Sequence, residues 1–180
     1  YDGKTNLPVA VGTYAIAARA SSGNYLGLLS GTLEIRPKTV SGIVTVQDKA
    51  FDGSTLATVV SRKLEGVAAG DTLALQVSEV RFTDPLMGAK KSLVAVGASL
   101  VGTSVANYRL GDVSVVPAAI LNNPPVFDAF PKLVAVEAKT LQEIITAVDS
   151  DLPLQTLTYR LLEAPSGLSI TVGGLLQWTP

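Results

Sequence analysis

The chain has 180 residues, of which 47% are hydrophobic and 16% charged, and its formal net charge is -1. That apolar content is enough to fill one large core or two small ones and excludes intrinsic disorder, while the near-zero charge leaves no basic stripe to neutralise phosphates, which excludes nucleic acid. With neither cysteine nor histidine, the chain has no thiolate metal site, no disulfide, no cysteine nucleophile and no imidazole base or ligand.

The chain opens at Tyr1-Asp2-Gly3 without a signal peptide pattern and closes at Trp178-Thr179-Pro180, so both ends read as cuts through a longer polypeptide. No apolar run approaches the roughly 20 residues that span a bilayer. Val9 to Ala20 is rich in strand-forming residues and meets the turn cluster Ser21-Ser22-Gly23-Asn24. Gly31 to Arg36 alternates apolar with polar and stops at Pro37. Ile43 to Gln47 is a strand ended by Asp48-Lys49, and Leu73 to Val77 follows a turn at Ala69-Gly70-Asp71. Lys90-Lys91, beside Gly88, reads as a solvated turn. Ser92 to Val96 precedes Gly97, and Val113 to Val116 runs into Pro117. Strands of about 5 residues at spacings of roughly 8–12 predict small β-sandwiches. One segment departs from this: Leu141, Ile144, Ile145 and Val148 fall at helical spacing, and Thr140 with Glu143 forms a capping box, so locally 140–148 reads as a helix.

The sequence also echoes itself. Tyr1-Asp2-Gly3-Lys4-Thr5 is matched by Phe51-Asp52-Gly53-Ser54-Thr55, and Gly23-Asn24-Tyr25 by Ala106-Asn107-Tyr108, as expected of repeated supersecondary units. Boundaries fall at Arg36-Pro37-Lys38 and at Leu121-Asn122-Asn123-Pro124-Pro125, where paired prolines cannot continue a ladder.

Three families are resembled in turn. Lys49 to Thr55, Leu64-Glu65-Gly66-Val67-Ala68-Ala69-Gly70-Asp71, Gly88-Ala89-Lys90-Lys91 and Ala106-Asn107-Tyr108-Arg109-Leu110 resemble the YDG repeat of large bacterial adhesins, with Phe51 in place of the family's Tyr. Tyr1-Asp2-Gly3, Gly12-Thr13-Tyr14, Asn24-Tyr25 and Gly31-Thr32-Leu33-Glu34-Ile35 resemble the second half of an MBG-type repeat. Asn122 to Phe127, Val136 to Leu141, Ala147-Val148-Asp149-Ser150-Asp151, Ala164-Pro165-Ser166-Gly167-Leu168 and Gly174 to Pro180 resemble a cadherin-like, immunoglobulin-type domain of bacterial surface proteins. In that family the stretch after Glu137 is a strand, which implies a strand at 140–148 despite the helical period. The resemblances imply tandem antiparallel immunoglobulin-like β-sandwiches in series: 1–38 as half of an MBG-type repeat, 39–120 as a YDG-type domain, 121–125 as a linker and 126–180 as an incomplete cadherin-like domain.

Asp149 and Asp151, with Glu137 and the oxygens of Asn122 and Asn123, form the one candidate site, a calcium site at a domain joint, since Ca²⁺ collects six to eight hard oxygens from such loops. The competing reading makes Asp149 and Asp151 turn residues before Pro153. Asp2-Gly3 and Asp52-Gly53 read as tight turns, Tyr25 and Tyr108 as buried rings with bonded hydroxyls, and Trp178 as core. No Ser-x-x-Lys arrangement, phosphate loop or carboxylate pair across a cleft is present, so no catalysis is expected. The expected role is a structural and adhesive segment of an extracellular bacterial surface protein. Its partners would be neighbouring domains of its own chain and a cell-surface glycan or protein. The alternatives are a ligand-binding module and a subunit that assembles by strand addition.

Overall fold

The computed structural model describes residues 9–130 and 132–180, with Tyr25 described by its backbone alone. The motif Tyr1-Asp2-Gly3 and the ring of Tyr25 therefore lie outside the described residues. In chain order the strands are β1 (Gly12–Ser22), β2 (Tyr25–Ile35), β3 (Lys38–Val46), β4 (Lys49–Ala50), β5 (Leu56–Ala57), β6 (Val59–Glu65), β7 (Ala74–Gln76), β8 (Glu79–Phe82) and β9 (Gly88–Lys91). They continue with β10 (Leu93–Val96), β11 (Ser99–Val101), β12 (Tyr108–Val115), β13 (Ala118–Leu121), β14 (Val126–Phe127), β15 (Leu141–Ile144), β16 (Ala147–Val148), β17 (Ser169–Ile170) and β18 (Leu175–Trp178). A single 3₁₀ turn, Val105–Asn107, is the only helical element among the described residues, so the chain is all-β and sandwich-like.

Two compact units divide the chain. The first takes Tyr1–Gln47, Leu56–Arg81 and Ser92–Pro117; the second takes Asp48–Thr55, Phe82–Lys91 and Ala118–Pro180. The segment 39–120 thus contributes to both.

In the first unit, β1 and β2 form a hairpin whose register runs unbroken from Gly12↔Ile35 to Ser22↔Tyr25. Gly23 closes it at φ +55, a conformation that glycine adopts without steric cost. The next sheet is ordered β12-β3-β6. Alternation explains β3: Val40, Gly42, Val44 and Val46 fall on one face and are buried, while Thr39 and Ser41 face water. Leu75, Val77, Val80 and Tyr108 join Val40 and Val44 in the core. Gly42 is required by packing, because a Cβ there would meet Leu75 Cδ2 at 2.8 Å.

The second unit holds the sheets β4-β13-β9, β14-β16 and β15-β18-β17. Ala118, Ile120, Phe82 and Leu176 are its buried apolar residues. Leu141–Ile144 pairs with Leu175–Trp178, so residues 140–148 form strands rather than a helix. Ladder bonds to β18 give this short apolar stretch partners that its helical period could not foresee.

Three expectations need correction. Pairing is mixed rather than wholly antiparallel: β12 runs parallel to β3, and β13 parallel to β4. A period of two in the sequence fixes which face a residue takes but carries no strand direction. Lys91 is not a solvated turn residue; it belongs to β9, its side chain is only 10% exposed, and its ammonium pairs with Asp84. Trp178 is half-buried rather than core, and its indole N–H donates to Ser166 O at 3.1 Å.

Candidate functional site

The residues singled out around Asp151 meet in the second unit. Asp151 is fully buried, the only buried charged residue among those described. Its Oδ2 accepts the backbone N–H of Asn123, and its Oδ1 accepts Asn123 Nδ2 at 2.9 Å. Asn123 Nδ2 also donates to Phe51 O at 2.7 Å, so one side chain ties three stretches of chain. The N–H of Asp151 in turn donates to Asp149 Oδ1 at 3.0 Å, an Asx turn. Asn122 Nδ2 donates to Asn123 O at 2.6 Å, and Asn122 Oδ1 accepts from Gln155 Nε2. Gln155 is the participant that sequence reasoning missed; nothing in Leu152-Pro153-Leu154-Gln155 marks it as a ligand of Asn122.

Four of the five expected ligands are thus brought together, while Glu137 is not. It lies exposed in a turn where Ala138 takes φ +57 and donates its N–H to Pro180 O. Among the described residues no three acidic side chains gather as a metal-holding group. N–H groups fill the first contacts of both Asp151 oxygens, where Ca²⁺ would draw on converging oxygens. What they build is a latch, a buried carboxylate compensated by amide donors.

A second tie stands in the first unit. Tyr108 is buried, and its hydroxyl donates to Asp71 Oδ2 at 2.5 Å while accepting the N–H of Ala68 at 2.9 Å. Ser104 Oγ donates to the other oxygen of Asp71 at 3.1 Å and accepts the N–H of Thr72 at 3.2 Å. The Ala68-to-Asp71 turn and the Asn107-Tyr108 pair, distant in sequence, are therefore halves of one pin. The hydrogen bond to Asp71 raises the Tyr108 pKa above its ordinary 10.0.

The Asp-Gly turn behaves as its residue types require. Gly53 takes φ +73, Asp52 Oδ1 accepts the N–H of Ser54 at 2.8 Å, and Lys49 Nζ lies 2.6 Å from the same oxygen. The Lys49 ammonium, then the Ser54 N–H, hold the Asp52 carboxyl down at about 2. Arg81 lowers Glu79 and Lys91 lowers Asp84 in the same way.

The pH dependence follows from these directions. Depressed carboxyls contribute stability that is present above their ordinary values and lost as pH falls through the folded ones, whereas Tyr108 contributes stability lost as pH rises past about 10. Urea midpoints should therefore be flat at neutral pH, fall from about pH 4 toward pH 2, and fall again above about pH 10. In Lys49→Ala the Asp52 carboxyl, followed by NMR, should titrate upward toward its ordinary 3.8 but stay below it, because the Ser54 N–H remains; an unmoved titration would refute the assigned cause.

One further concavity lies in the second unit, an apolar groove of about 580 Å³ lined by residues that include Phe127, Phe130, Ile145, Tyr159, Leu162 and Leu176. Phe127 and Tyr159 meet edge to face there with centroids 6.1 Å apart, and the Tyr159 hydroxyl accepts the N–H of Ala147 at 3.0 Å.

These arrangements define an all-β module whose polar side chains pin loops to strands. Residues 35–115 match the family model of the YDG domain, and residues 1–39 match that of the MBG domain. The chain carries a YDG/MBG-type repeat. No curated protein and no solved structure matches it. No helix among the described residues is long and apolar enough to cross a membrane.

Proposed function

We propose that the chain is a non-catalytic spacer within a large extracellular repeat protein of a bacterial cell surface, separating an adhesive region from the cell. The succession of an MBG match at 1–39 and a YDG match at 35–115 on one chain carries this reading, since domains repeated in series serve reach and spacing. The polar clusters support it: the side chains of Asp71, Tyr108, Asn123 and Asp151 are engaged with one another and with backbone, the pattern of a scaffold. In this reading 1–38 is MBG-type, 39–120 YDG-type, 121–125 a linker and 126–180 a cadherin-like domain, and the partners are neighbouring domains of the same polypeptide.

A spacer leaves recognition to other parts of the protein. The purified, fluorescently labelled chain should give no saturable signal on a glycan array or on cultured epithelial cells. Saturable binding that unlabelled chain displaces would overturn the spacer reading in favour of a binding module.

A further inference from the structure

We propose that the YDG-type segment is a shear clamp, in which tension along the chain loads β3 and β12 from opposite ends of one parallel pair. The inference takes its biological use from the spacer reading, and its mechanics from the pairing alone.

Within the matched residues 35–115, β3 is the first whole strand and β12 the last, and they are hydrogen-bonded neighbours. Their register begins at Tyr108↔Lys38 and ends at Val115↔Val44, with one shift between Leu110 and Val113. Force transmitted through the chain enters β3 at Lys38 and leaves β12 beyond Val115, and the parallel alignment puts these two points at opposite ends of the ladder. The load then runs along the strands and across the hydrogen bonds, so the bonds share it and must yield together. In an antiparallel hairpin pulled at its ends, the same number of bonds opens one after another. The chain contains that comparison: Gly12 and Ile35, the ends of the β1–β2 hairpin, lie opposite each other.

Several contacts reinforce the pair. Val116 N–H donates to Val44 O at 2.9 Å, extending the ladder past β12. Arg109 Nη2 donates to Thr39 Oγ1 at 3.2 Å, a side-chain crosslink near the entry end. On its other edge β3 is held by β6 from Ser41↔Glu65 to Val46↔Val59. Val40, Val44, Val46 and Tyr108 are buried, which keeps water from replacing a strained bond. The same polarity recurs in the second unit, where Ile120↔Lys49 and Leu121↔Ala50 pair in parallel and Phe51 N–H donates to Leu121 O at 2.9 Å.

The test is single-molecule force spectroscopy on the whole chain with cysteine handles, which are unique because the chain has none of its own. Lys38→Cys with Val116→Cys loads the pair in shear; Lys38→Cys with Arg109→Cys pulls from one end and peels it. All three positions are exposed. At equal loading rate, and with matching urea midpoints for the two variants, the shear pair should rupture at severalfold higher force. Its release should be roughly 270 Å of chain at about 3.5 Å per residue. Equal forces in the two geometries would overturn the clamp. Handles at Gly12 and Ile35 give a second reading: the hairpin should open at lower force than the Lys38/Val116 pair, and an equal or higher force would also overturn it. Glycan binding would sink the spacer and leave the clamp, whereas equal rupture forces would sink the clamp and leave the spacer.

Discussion

Asp151→Ala should destabilise the second unit by about 2–3 kcal/mol, whereas Asp149→Ala should cost about 1 kcal/mol or less. The difference rests on what each carboxylate holds. Removing the Asp151 side chain leaves the N–H of Asn123 and one Nδ2 hydrogen without their acceptor in a part-buried site, while relieving the cost of burying a charge. Losing Asp149 breaks one Asx-turn bond in a side chain that is only half-buried. Trp178, the sole tryptophan, belongs to the second unit, so its fluorescence during urea unfolding reports there. Millimolar calcium should leave the midpoint of the unsubstituted chain in place. A latch and a calcium site part company on this measurement: equal losses in the two variants, together with a calcium-dependent midpoint, would restore the metal reading.

The same residues show what the sequence made legible. Asp149, Asp151, Asn122 and Asn123 could be named in advance because carboxylates two apart and an Asn pair before Pro124-Pro125 are concentrated polar signals in a chain that is only 16% charged. Their bonding could not be named, because Phe51 and Gln155 reach the cluster only through tertiary packing. Strands with clean alternation are legible in part: Ile43 to Gln47 marks the second half of β3, while its start at Lys38 carries no such mark. β6 and β8 carry no clear signal: Val59–Glu65 has Ser61, Arg62 and Lys63 at its centre, and Glu79–Phe82 is only four residues long. At 140–148 the local period favoured a helix and was overridden by ladder pairing with β18, the usual outcome when a short apolar run is decided by its neighbours. The parallel direction of β12 has no local signature at all, since it is set by about sixty residues of intervening chain.

A glycine comparison should separate turn chemistry from enclosure. Gly53 and Gly102 both take φ values that favour glycine, +73 and +133. Around Gly53 a Cβ would meet nothing within 4 Å, so Gly53→Ala should lose only the backbone term, about 1 kcal/mol. At Gly102 a Cβ would lie 2.4 Å from Thr72 O and 3.0 Å from Leu73 Cα, both backbone atoms that cannot swing aside. Thr72 O accepts the N–H of Ser104, and Ser104 Oγ holds Asp71, so the displacement would travel into the Tyr108 pin. Gly102→Ala should therefore cost about 3–4 kcal/mol, the strain of the dihedral plus the broken contacts. Far-UV circular dichroism during urea unfolding reads the loss, and the hydroxyl of Tyr108, released from Asp71, should titrate back toward its ordinary 10.0 in the same variant. A folded Gly102→Ala protein with an unmoved Tyr108 titration would mean that the loop yields without disturbing the pin, and that the Asp71–Tyr108 bond, rather than the packing around Gly102, sets the geometry of this turn.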